Sequence, residues 1–136
     1  MSQRNRRRLA NLLLDFADGN ELKCTVDSSG QRANVGFLAG GKLVQMKFDF
    51  DDIQGSYDFT ASLYDTRGYA QDDLALTILR SRPIRGITER IIGNKLVVLG
   101  GRDYLNELDD DFVISSFRDD ISRVANYFKQ ASTFFE

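Results

Sequence analysis

Residues 72–83 read DDLALTILRSRP, and the fold turns on how they are taken. Coiled as a helix, they put Leu74, Ala75, Ile78 and Leu79 on one face. Asp72 and Asp73 would then lie at the positive end of the helix dipole, and Pro83 would stop the run. Extended as a strand, the same residues would be apolar on both faces, and the chain would hold seven strands followed by a capping helix. We read a helix, which separates two groups of strands.

Upstream the period is two. Leu22, Cys24 and Val26 alternate with polar neighbours, as do Ala33, Val35 and Phe37, then Val44, Met46, Phe48 and Phe50, then Tyr57, Phe59, Ala61 and Leu63. Short turns rich in Gly, Ser and Asp separate these runs, so an antiparallel meander is expected, each strand apolar on one face. Downstream, GITERIIGNKLVVLGG (residues 86–101) reads as a hairpin turning at Gly93 and Asn94.

Both ends are helical in pattern. Leu9, Leu12, Leu13 and Phe16 follow a 3.6-residue period over residues 4–18, with Gly19 placed for a left-handed C-terminal cap. At the other end Ile114, Phe117, Ile121, Val124, Phe128, Ala131 and Phe135 step by three and four. Asp110 or Asp111 is placed to cap that helix, after a loop NELDDD. The expectation is one domain over residues 1–136 of α+β class: a twisted antiparallel sheet with N-terminal, middle and C-terminal helices packed on it. The order is α-β-β-β-β-α-β-β-α.

Composition narrows the chemistry. The 136 residues are 42% hydrophobic and 28% charged, enough for a core without disulfides. The single Cys24 reads as a buried, inert thiol and fits a reducing compartment. No run is long and apolar enough to span a bilayer, and the signal-like start RNRRR–LANLLL is broken by Asp15 and Asp18, so a cytoplasmic protein is expected. A net charge of −2 lacks the basic excess of nucleic-acid binders, so no nucleic-acid partner is expected. Arg4, Arg6, Arg7 and Arg8 form a local basic patch at the end of a helix where cations are disfavoured.

Catalytic motifs are absent or fail. With no histidine and one cysteine the chain lacks the usual general base and the common zinc ligand sets, so neither enzyme activity, a metal nor a cofactor is expected. Gly36–Lys42 fits G-x-x-x-x-G-K, but Leu43 replaces the Ser or Thr, and a strand pattern follows where a phosphate-binding loop needs a helix. Asp49, Asp51 and Asp52 lack the further ligands of a calcium loop. What remains is surface. Tyr127, Phe134 and Phe135 crowd the last helix with more aromatic area than one sheet face covers, which marks a contact with a protein partner or a second copy.

Three segments carry a resemblance: LANLLLDFADGNELKCTV, DDLALTILRSRPIRGITERIIGNKLVVLGG and FRDDISRVANYFKQ. In order and size of elements the chain resembles class I type III secretion chaperones and the related YbjN-like bacterial proteins, with an additional strand around Phe59. That resemblance implies a homodimeric, non-catalytic protein of chaperone-like or regulatory-adaptor type, holding a client segment on apolar surface. The extended reading of residues 72–83 instead resembles a pleckstrin-homology-type barrel. It implies a lipid- or phosphate-surface module in which Arg4, Arg6, Arg7 and Arg8 gain weight. A small enzyme using Asp and Tyr without His is the remaining alternative.

Overall fold

The computed structural model describes residues 8–63, 77, 81, 85–92 and 95–134. Helix α1 (Arg8–Gly19) is followed by strands β1 (Lys23–Val26), β2 (Arg32–Ala39), β3 (Lys42–Asp51) and β4 (Ser56–Leu63). Next come β5 (Gly86–Ile92), β6 (Lys95–Arg102), a 3-10 turn (Leu105–Glu107) and helix α2 (Asp110–Phe134). The six strands form one antiparallel sheet in the order β1-β2-β3-β4-β6-β5. Thr77 and Ser81 are helical, and the Ser81 hydroxyl donates to the Thr77 carbonyl one turn back at 3.2 Å. The decisive segment therefore coils at these two positions; Leu74, Ala75, Ile78 and Leu79 lie outside the described residues, as does the Gly93–Asn94 turn.

The meander follows from its turns. Gly40 and Gly41 both have positive φ, 59° and 78°, the conformation of a two-residue primed turn between Ala39 and Lys42. The G-x-x-x-x-G-K stretch is thus a hairpin tip, and no helix N-terminus follows Lys42. Between β3 and β4, Asp51 Oδ1 accepts from the backbone N–H groups of Ile53 and Gln54 at 3.1 and 3.0 Å, an Asx turn closed by Gly55 at φ 68°.

Register builds the core in rows. Val26, Ala33, Phe48, Phe59, Gly100 and Ile87 line up across all six strands. Gly100 is the gap in that row: a Cβ there would stand 2.5 Å from the Phe59 ring and 2.2 Å from the Gly86 carbonyl oxygen. The same sheet face carries the buried Val35, Met46 and Val98, and over it pack Leu9, Leu13 and Phe16 of α1 with Val113, Phe117, Ile121, Val124 and Phe128 of α2. Phe117 is the keystone, with ring centroids 5.3 Å from Tyr57 and 5.9 Å from Phe48. Each such side chain stabilises the fold by roughly 1.5–3 kcal/mol through burial. Cys24 is only half-buried; desolvation raises its thiol pKa, which keeps it protonated.

Two expectations need correction. The helix-ending left-handed residue is not Gly19, which is still helical, but Glu21 at φ 57°; the Leu22 N–H then reaches back to the Ala17 carbonyl at 2.9 Å. The cap of α2 is Asp109, whose Oδ1 accepts the Phe112 N–H at 3.0 Å, one residue before the acids expected to cap it. Strands β4 and β6 are buried on both faces: Thr60, Ser62, Val97 and Leu99 are inaccessible on the side away from α2. Among the described residues no helix is long and apolar enough to cross a membrane.

Candidate functional site

Two arginines sit on either side of Gly101. Register pairs Tyr57 with Arg102, so both side chains point to the core face and converge on Asp120 of α2. Asp120 falls on the inward stripe between Phe117 and Ile121 and is 2% exposed. Its carboxylate accepts from the Tyr57 hydroxyl, from Arg102 Nε at 2.9 Å and from an Arg102 terminal nitrogen at 2.8 Å, while Arg102 also reaches Asp119 at 2.8 Å. Burial first, and then the neighbouring Asp120 charge, push the Tyr57 phenol well above its ordinary pKa. The Asp120 hydrogen bonds hold the Arg102 guanidinium firmly charged against desolvation. The charged group is therefore matched internally.

On the opposite face Arg85 spans Asp58 at 2.6 Å and Asp103 at 2.7 Å. It passes through the space left by Gly101, where a Cβ would lie 2.2 Å from an Arg85 nitrogen. Desolvation raises the Asp58 pKa despite the Arg85 hydrogen bond.

From this double anchor the chain enters an exposed corner. Tyr104 adopts a left-handed backbone, φ 65° and ψ 23°, and its side chain is 70% exposed. Positive φ in a bulky residue costs of the order of 1 kcal/mol, so the surroundings must impose it. They do. Leu105 is buried, and its N–H donates to the Gly55 carbonyl at 2.8 Å. Asn106 Nδ2 donates to the Asp52 and Ile53 carbonyls at 3.0 and 3.3 Å. Arg8 closes the clamp: it donates to the Leu105 and Leu108 carbonyls at 3.2 and 2.9 Å and pairs with Asp110 at 3.0 Å. Asp52 Oδ1 in turn accepts the Leu9 N–H at 3.2 Å.

The outcome is a fixed frame presenting apolar side chains to water. Tyr104, Leu108 and Phe112 recur every four residues and are 70%, 39% and 63% exposed. Tyr104 and Leu108 border an open concavity of about 370 Å³ floored by Leu105 and edged by Arg85, Arg102 and Ser116. Phe112 stands one helical turn before Ser116, whose hydroxyl donates to the Phe112 carbonyl at 3.0 Å. A separate apolar pair, Leu38 and Leu43, faces solvent beside the β2–β3 tip.

The residues singled out from sequence do not gather here. Tyr127 is half-buried and packs against the core, and the adjacent Phe128 is 2% exposed. Phe134 is the last residue of α2, and Phe135 lies outside the described residues. Arg8 is spent on the corner's own carbonyls and Asp110, far from Tyr127 by roughly 25 Å of helix. Arg4, Arg6 and Arg7 lie outside the described residues. Sequence reading missed Tyr104, Leu108 and Phe112 because they fall in or beside an acidic loop and the corner is held by partners distant in sequence. Among the described residues no three His, Cys, Asp or Glu side chains converge as a metal site. No protein-family model matches the chain, and no curated protein or solved structure shows significant similarity to it.

Proposed function

We propose that this chain is a non-enzymatic protein-binding module, of chaperone-like or regulatory-adaptor type, that holds a segment of a partner protein at the Tyr104–Leu108–Phe112 corner. The observation that carries the reading is exposure on a rigid frame. Large apolar side chains left in water usually mark a contact, and a frame fixed before binding loses little entropy on association. Here the frame is tied by the Arg8, Asn106 and Leu105 hydrogen bonds.

An Asp/Tyr enzyme would have to draw on Tyr57, Asp120 and Arg102. Its tyrosine is buried and held protonated, and its carboxylate already accepts three donors, which favours a structural role. Selection of random peptides on the immobilised full chain tests the proposal. Peptides retained by the native chain and lost from a Y104S/L108S/F112S variant of unchanged circular dichroism are expected. Retention that ignores the substitutions, or no retained peptide, sinks it.

A further inference from the structure

We infer that the segment taken by this corner is basic as well as apolar: an amphipathic stretch whose large apolar side chains meet Tyr104, Leu108 and Phe112 while Lys or Arg side chains meet Glu107 and Asp111. This deepens the protein-binding reading and rests on it. Residues 103–111, DYLNELDDD, hold five acids and no base. Three of the five have internal tasks. Asp103 pairs with Arg85, Asp109 caps α2, and Asp110 pairs with Arg8. Glu107 and Asp111 are exposed and enter no ion pair among the described residues. They immediately precede Leu108 and Phe112 in sequence, so the unmatched negative charge belongs to the same short segment as the exposed apolar groups.

The cations bordering the same concavity are already matched. Arg85 is held by Asp58 and Asp103, and Arg102 by Asp119 and Asp120. The surface therefore offers a ligand grease and uncompensated carboxylates, which disfavours acidic peptides and phosphates and complements a basic one. The positive end of α2 stabilises Asp111 in the first helical turn, but it does nothing comparable for Glu107, which precedes the cap.

Three fluorescent peptides of equal length test this with the full chain. One alternates Leu and Phe with Lys at helical spacing, one replaces Lys by Glu, and one keeps Lys but replaces the apolar residues by Ser. Anisotropy should show the apolar basic peptide binding about tenfold more tightly than either other, weakening severalfold between about 50 and 500 mM NaCl. E107K/D111K should lose about tenfold for that peptide, while the control D15K/D18K, on exposed acids of α1, changes it by less than about twofold. Equal binding of the acidic peptide, or a flat salt response with binding still lost in F112S, overturns the basic partner and leaves the apolar docking reading standing. Binding untouched by F112S overturns both. Self-association that F112S abolishes would assign the corner to a second copy of the chain and likewise overturn the basic partner.

Discussion

Tyr57 of β4 donates its phenolic hydrogen to Asp120 of α2, 63 residues further along the chain, where both residues are buried. The bond ties the central strand to the long helix and needs Arg102 to balance its charge. Substituting the partners should therefore give unequal results. R102M leaves a carboxylate buried with the tyrosine alone and is expected to cost about 3–5 kcal/mol. D120L leaves Arg102 partly exposed and still paired with Asp119, with an expected cost of about 1–3 kcal/mol. The double variant should cost less than the sum, and urea denaturation of all four proteins measures the coupling.

Stability should decline in alkali through the same tyrosine. Its folded pKa lies well above the ordinary value of about 10 that the unfolded chain shows. The contribution is complete below about pH 10 and is lost as the pH climbs from there toward the folded value, because only the unfolded phenol releases its proton. Y57F should remove up to about 1.4 kcal/mol per pH unit from the slope of unfolding free energy above about pH 10. Equal slopes for the two proteins would show that burial of the phenol is not what sets it.

The two glycines of β6 should differ. At Gly100 an added methyl meets the Gly86 carbonyl oxygen at 2.2 Å and the Phe59 ring at 2.5 Å, and neither can yield without moving the sheet. At Gly101 the nearest atom is an Arg85 terminal nitrogen at 2.2 Å, the end of a side chain, and the Tyr57 carbonyl oxygen stands further off at 2.8 Å. G100A is expected to cost about 2–3 kcal/mol and G101A less, read from thermal melts.

Helix α1 ends on a strained residue that can be relieved. Glu21 holds φ 57° with its side chain exposed, so E21G removes a clash while losing no buried contact. A gain of about 0.5–1 kcal/mol in chemical denaturation is expected; a loss would mean that the Glu21 side chain has a role beyond the cap.

Much of the architecture was legible because alternation survives wherever one sheet face is buried. Val44, Met46, Phe48 and Phe50 announced β3 and its inward side without ambiguity, and the two glycines after Ala39 announced its turn. Where two faces are covered, as at residues 97–99 and in β4, alternation says less: Thr60 and Ser62 stand on the face that the pattern left to water or a further layer, and they are buried. The caps were each displaced by a residue or two, since several acids in a row, or a glycine close to the end, satisfy the pattern equally. The corner at Tyr104 was not legible at all. Its rigidity comes from Arg8, Gly55 and Asp52, partners distant in sequence, and no local period encodes a surface held from behind. The same clamp explains why arginine tolerates the unfavourable end of α1: Arg8 answers carbonyls and a carboxylate of another element.

The strand order has a kinetic consequence. Strands β1 to β4 pair with immediate neighbours through short turns, and β5 with β6 likewise, whereas β4 meets β6 only after the chain has travelled out and back, bringing Phe59 opposite Gly100. Closing that one seam carries the largest single loop entropy of the sheet. Substitution of residues along it, Phe59, Ala61, Val98 and Gly100, should therefore retard refolding more than equal damage at the β2–β3 tip.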